Sequence, residues 1–86
     1  SWPFSGPILV KEAGEREDEG ALFLVDKWCL LGEGTYSSDG YHVESRPFHF
    51  DFDQYKILSN YLLQKVSKET LVRLTYEEME QLLQPE

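Results

Sequence analysis

The stretch ALFLVDKWCLLGEG, residues 21 to 34, carries apolar side chains at positions of both parities, and this most narrows the folds open to the chain. Successive side chains of a strand point to opposite faces. Leu22, Leu24, Trp28 and Leu30 therefore fall on one side of an extended backbone, and Phe23, Val25, Cys29 and Leu31 on the other. A strand with one wetted face alternates apolar and polar residues. This one does not, and it reads as a single long strand covered on much of both faces. PILVKEA, from Pro7 to Ala13, is also β-rich and follows a Pro/Gly turn. Between the two, GEREDEG has charge without apolar anchors, which marks the solvated tip of an antiparallel hairpin.

Residues 32 to 50, GEGTYSSDGYHVESRPFHF, show no helical period and read as a long irregular loop. Its turn-rich SSDGY looks like ordinary surface, with Tyr36 and Tyr41 as candidates for a binding surface. Phe48, Phe50 and Phe52 alternate, so an extended backbone puts all three on one side, as an anchor onto the core. Helical periodicity begins at DFDQYKILSNYLLQKVS: Tyr55, Leu58, Tyr61, Leu62 and Val66 recur at three- and four-residue steps, with Ile57 flanking. Asp51 and Gln54 have the spacing of a capping box, and Asp53 falls in the first turn, where the helix dipole favours an anion. A short strand is expected over Leu71 to Leu74, then a second capping box, Thr75 with Glu78. That box opens a last helix whose apolar face is Tyr76, Met79, Leu82 and Leu83, and Pro85 ends it. The expected fold class is α+β, in the order strand, strand, helix, strand, helix. A helix between strands two and three permits a right-handed crossover onto the same sheet. The expected sheet is three-stranded, an antiparallel hairpin plus a third strand, packed by two helices and covered mainly on one side. Residues 1–86 make one small domain.

Composition bounds the partners. With 41% hydrophobic and 14% aromatic residues the chain can build a core. Sixteen acidic residues against eight basic ones give a net charge of -8, a sign that opposes the counterion release from which nucleic-acid binders draw affinity. Tight binding to DNA or to an anionic membrane is not expected. Lys65 and Lys68, with Lys56 and Arg73, place half of the basic residues in the C-terminal part. The lone Cys29 cannot close an internal disulfide and reads as a small hydrophobe in a reduced, cytoplasmic protein. No apolar run approaches the roughly 18 to 20 residues of a membrane span, and SWPFSGP lacks the pattern of a signal peptide.

HFDFD, residues 49 to 53, puts an imidazole and two carboxylates within five positions. As a ligand set it requires an extended backbone, whereas Asp53 belongs in the helix, so neither a metal nor another cofactor is expected. Ser37, Ser38, Asp39 and His42 are near in sequence but fill an ordinary loop. Phosphate loops, paired Cys or His ligands and nucleophile elbows are lacking. The chain itself is not expected to be an enzyme. Trp28 is expected in the core. Trp2 and Phe4, around Pro3, are candidates for the interaction surface, with Trp2 either anchored over the sheet or serving as the point where a preceding domain docks.

WPFSGPILVKE, FLVDKWCLLGEG, FDFDQYKILSNYLL and the VRLT before the last helix resemble the region that follows the nuclease domains in certain bacterial proteins. These join a proofreading-type exonuclease, like the epsilon subunit of DNA polymerase III, to an excinuclease-C-like GIY-YIG endonuclease. The resemblance covers nearly the whole chain. It implies a C-terminal accessory module of a DNA-repair nuclease, part of a longer chain, whose catalytic residues lie in other domains. Such a module packs against or positions its neighbours. The other class of function consistent with these residues is a free-standing acidic domain that binds or regulates a basic protein partner.

Overall fold

The computed structural model describes residues 1–64 and 70–85. Seven elements follow in chain order: β1 (Ile8–Ala13), β2 (Gly20–Asp26), β3 (Cys29–Ser37), β4 (Gly40–Ser45), α1 (Phe52–Gln64), β5 (Leu71–Arg73) and α2 (Tyr76–Leu83). The strands form one antiparallel sheet in the order β4-β3-β2-β1-β5. The hairpin of β1 and β2 stands where expected, its exposed tip closed by the Gly14 N–H on the Glu19 carbonyl at 2.9 Å.

Three expectations are corrected. The sheet has five strands rather than three, because residues 32 to 50 are not an irregular loop: they hold most of β3 and all of β4. The glycines that looked like loop have a packing reason. At Gly34 a side chain would collide with the His42 carbonyl of β4, and at Gly32 a Cβ would lie 2.8 Å from Val43 Cγ1. Second, the long strand of residues 21 to 34 is two strands, reversed at Lys27 and Trp28. Both residues adopt positive φ, 50° and 65°, as a two-residue mirror-image hairpin turn requires. Such turns favour Asn and Gly, so Lys-Trp gave no signal. Third, the sheet is covered on both faces, and the strand after α1 makes no parallel crossover but adds antiparallel to β1.

The dual parity of the apolar residues is thereby explained. Leu9, Leu24, Cys29 and Leu31 pack with Val43, Val72 and Leu74 beneath Met79, Leu82 and Leu83 of α2. Ile8, Val10 and Val25 pack on the opposite face with Phe23, Leu30 and Leu71 beneath Leu58, Tyr61 and Leu62 of α1. Cys29 is the small buried hydrophobe expected of it. A bulge between Leu24 and Val25 sets one extra residue, Leu31, into β3, so that Gly32 falls on the α2 face together with Leu31, beside Val43 and Leu83. Ile57 is 68% exposed. Val66, Lys65 and Lys68 lie outside the described residues.

Candidate interaction surfaces

A left-handed tryptophan is an uncommon feature, since a bulky side chain at positive φ is strained. Aromatic packing holds it. The Trp28 ring meets Trp2 at 5.0 Å and Tyr55 of α1 at 5.3 Å, both edge to face, and Trp2 meets Phe4 at 5.1 Å. Each such pair adds about 0.5–1.5 kcal/mol beyond its buried area, which is of the order of the strain at one residue. Trp2 also donates its indole N–H to the Gly6 carbonyl at 2.9 Å, and the Arg73 guanidinium lies 5.9 Å from the Phe4 ring. Trp2 is thus an anchor over the α1 side of the sheet, half-buried with Phe4 and Trp28.

From Tyr55 the aromatic series continues outward, to Phe50 and Phe52 at 6.1 Å each, with the Lys56 ammonium 4.8 Å over Phe52. Here the expectation of a core anchor fails. Phe48, Phe50 and Phe52 are 71%, 54% and 60% exposed. Their alternation gives a shared side only on an extended backbone, whereas Phe52 already begins α1, and it says nothing of whether this chain covers them; Phe50 and Phe52 meet at Tyr55. The cap fixes the segment: Asp51 Oδ1 accepts from the Asp53 N–H at 2.9 Å and weakly from the Gln54 N–H at 3.5 Å. Asp51 is therefore employed at the start of α1. Among the described residues no three His, Cys, Asp or Glu side chains converge.

Tyr36 and Tyr41 stand elsewhere. They are cross-strand partners on β3 and β4 on the α2 face of the sheet, and the Lys11 ammonium lies 4.6 Å from the Tyr36 ring and 5.8 Å from the Tyr41 ring. The four candidate residues therefore divide into two surfaces, Trp2 with Phe4 and Tyr36 with Tyr41. Lys11 and the three phenylalanines were not foreseen as members of either.

Each helix also carries a tyrosine bonded to a sheet carboxylate. Tyr61 donates to Glu12 Oε1 at 2.6 Å, and its hydroxyl is pushed up to about 12, first by burial and then by the bond and charge of Glu12. Tyr76 bonds Asp26, which raises its hydroxyl, with burial adding to the effect. Asp26 is only 5% exposed, and its Oδ1 has no hydrogen-bond partner among the described residues, like the Trp28 indole nitrogen. Burial, and then the charge of Asp26, raises the Cys29 thiol, so Cys29 is a poor nucleophile.

Residues 7–78 match the family described as the excinuclease Cho C-terminal domain. The match runs from the residue before β1 into the first turn of α2 and includes Trp28 and all three exposed phenylalanines. No curated protein and no solved structure matches the chain.

Proposed function

Because the chain belongs to the excinuclease Cho C-terminal domain family, and so is a nuclease-associated domain, we propose that it packs against the catalytic domain of its nuclease and positions it without chemistry of its own. The observation that carries this reading is the aromatic surface of Phe48, Phe50 and Phe52. Three large rings, each more than half exposed, lie at or just before a capped helix start, and two of them, Phe50 and Phe52, are backed by Tyr55. A contiguous apolar patch rimmed by polar residues marks an interaction site, and aromatic anchors supply much of the energy of interfaces. Asp51 and Asp53 at its rim give a basic nuclease surface a complementary charge. The wider resemblance to exonuclease–endonuclease fusions, and with it a bacterial and cytoplasmic setting, belongs to the same proposal. With a net charge of -8 the module does not hold DNA tightly by itself.

The test is association in trans. The 86-residue chain, added to the separately produced GIY-YIG domain, binds it by calorimetry. Phe50→Ser with Phe52→Ser weakens binding at least about tenfold and leaves the far-UV spectrum unchanged. Lack of binding by the unmodified chain, or undiminished binding by the double variant, overturns the packing role. A gel shift on single- and double-stranded DNA that shows submicromolar binding with a steep salt slope overturns the second part.

A further inference from the structure

The sheet has two edges, and they differ. β5 offers three residues, whereas β4 offers six, Gly40–Ser45, on the far side from β1. The Arg46 N–H donates to the Leu31 carbonyl at 2.8 Å, and in the same register Glu44 stands opposite Glu33 and His42 opposite Thr35. In an antiparallel ladder alternate residues exchange main-chain bonds with one neighbour. His42, Glu44 and Arg46 therefore turn their N–H and C=O groups toward β3, while Tyr41, Val43 and Ser45 turn theirs outward, away from the sheet. Exposed edges are usually blunted by lysine, proline or a bulge. Gly40–Ser45 contains neither residue and pairs with β3 without a register shift. Alongside the edge lies an open concavity of about 830 Å³, with Tyr41, Val43 and Ser45 on the strand side and Leu83 and Pro85 at the end of α2.

We infer that this edge pairs with β4 of a second copy of the same chain, antiparallel about a twofold axis through Val43, to give one sheet continuous across the dimer. The register follows from hydrogen bonding and charge together. With Val43 opposite Val43 of the second copy, Tyr41 meets Ser45 and all outward N–H and C=O groups of these residues are matched. His42 of each copy then stands opposite Glu44 of the other, at the close, non-hydrogen-bonded positions where cross-strand side chains interact most. Sliding by one pair to centre on Glu44 sets two carboxylates face to face and loses part of the ladder. The strand is thus complementary to itself in one register. This association goes beyond the packing role proposed above and uses a surface distinct from the three phenylalanines.

Sedimentation velocity of the 86-residue chain, from about 10 µM to 1 mM because a single strand pair is a small interface, tests it. The chain dimerises within that range. Ser45→Pro removes a donor that faces the second copy while its exposed side chain takes nothing from the core, and weakens the dimer at least about tenfold. His42→Glu, which sets carboxylates opposite Glu44 twice over, weakens it roughly 2- to 30-fold. Adding Glu44→His to His42→Glu restores it to within about threefold, since the swapped pair is again complementary. Phe50→Ser with Phe52→Ser leaves it unchanged. A monomer throughout the range overturns the inference, as does undiminished dimerisation of His42→Glu or failure of the swap to restore it. The two charge variants decide the matter should Ser45→Pro prove unfolded by circular dichroism.

Discussion

α1 and α2 begin with the same spacing, an acceptor followed three residues later by a glutamine or glutamate, and they use it differently. At α2 the box closes on itself: Thr75 Oγ1 accepts from the Glu78 N–H at 3.0 Å, and Glu78 Oε1 accepts from the Thr75 N–H at 2.8 Å. At α1 the first half forms, Asp51 to the Asp53 and Gln54 N–H groups, but Gln54 does not return to the cap. Its Oε1 accepts from the Leu30 N–H of β3 at 3.3 Å. The reason lies in the sheet. β4 leaves β3 after Ser45, with the Arg46 N–H making the final bond to Leu31, so the Leu30 N–H has no strand partner on that side. A buried main-chain donor needs an acceptor, and Gln54 supplies one from the helix above. A local motif at one helix is thus a tertiary fastening at the other.

That difference ranks the expected losses. Gln54→Ala leaves the part-buried Leu30 N–H without its acceptor and loosens α1 from β3, a cost of up to about 3 kcal/mol. Gln54→Glu, which keeps an acceptor at that position, recovers most of it. Glu78→Ala removes only one exposed reciprocal bond, about 0.5 kcal/mol. Urea denaturation of the three variants measures the contrast. Equal losses at Gln54→Ala and Glu78→Ala would mean that Gln54 acts as a simple cap residue after all.

Between these extremes stand the cap acceptors themselves. Asp51→Ala and Thr75→Ala each cost about 0.5–2 kcal/mol, and the two losses add, because the helices cover opposite faces of the sheet and share no partner. The Asp51→Ala loss persists in EDTA and is not altered by added divalent cations, since the carboxylate serves main-chain N–H groups. A melting temperature that responds to metal in the unmodified chain and not in the variant would reassign Asp51 as a ligand.

What could be read in the sequence follows the same division between local and distant causes. Both helices, their starts at Asp51 and Thr75, the β1–β2 hairpin with its exposed tip and the strand at Leu71 are set by neighbours in the chain, and each was visible there. β4 was not, because glycines such as Gly34 read as loop until the His42 carbonyl across the ladder shows why only glycine fits. The Lys27-Trp28 turn was not, because its positive φ angles are held by rings at Trp2 and Tyr55, far away in sequence. The same holds for the surface. Trp2, Phe4, Tyr36 and Tyr41 were recognisable as aromatic residues of interest, but their division between two faces depends on the sheet, and the exposure of Phe48, Phe50 and Phe52 depends on what the sheet leaves uncovered.

The smallest effect, a loss that sets in only at alkaline pH, concerns the tyrosines that tie each helix to a sheet carboxylate. The Tyr61 hydroxyl ordinarily titrates near 10 and in the fold near 12, so the folded chain holds the phenolic proton more tightly than the unfolded one. A raised value contributes stability that is complete below pH 10 and is lost as pH climbs through 10 to 12. The stability of the unmodified chain therefore falls toward that of Tyr61→Phe across this window. Taking the difference between the two at each pH cancels the lysines and other tyrosines that titrate in the same range. Tyr76 moves in the same direction with Asp26 as first cause, but the two carboxylates differ: Glu12 is exposed and Asp26 is buried. Loss of the Tyr61 proton leaves Glu12 to water, whereas loss of the Tyr76 proton leaves a buried carboxylate facing a phenolate. Tyr76→Phe accordingly costs stability at neutral pH as well, where Asp26 is deprived of its donor. If Tyr61→Phe proves the more damaging of the two at pH 7, the fastening of α2 lies in its cap and its apolar face rather than in Asp26.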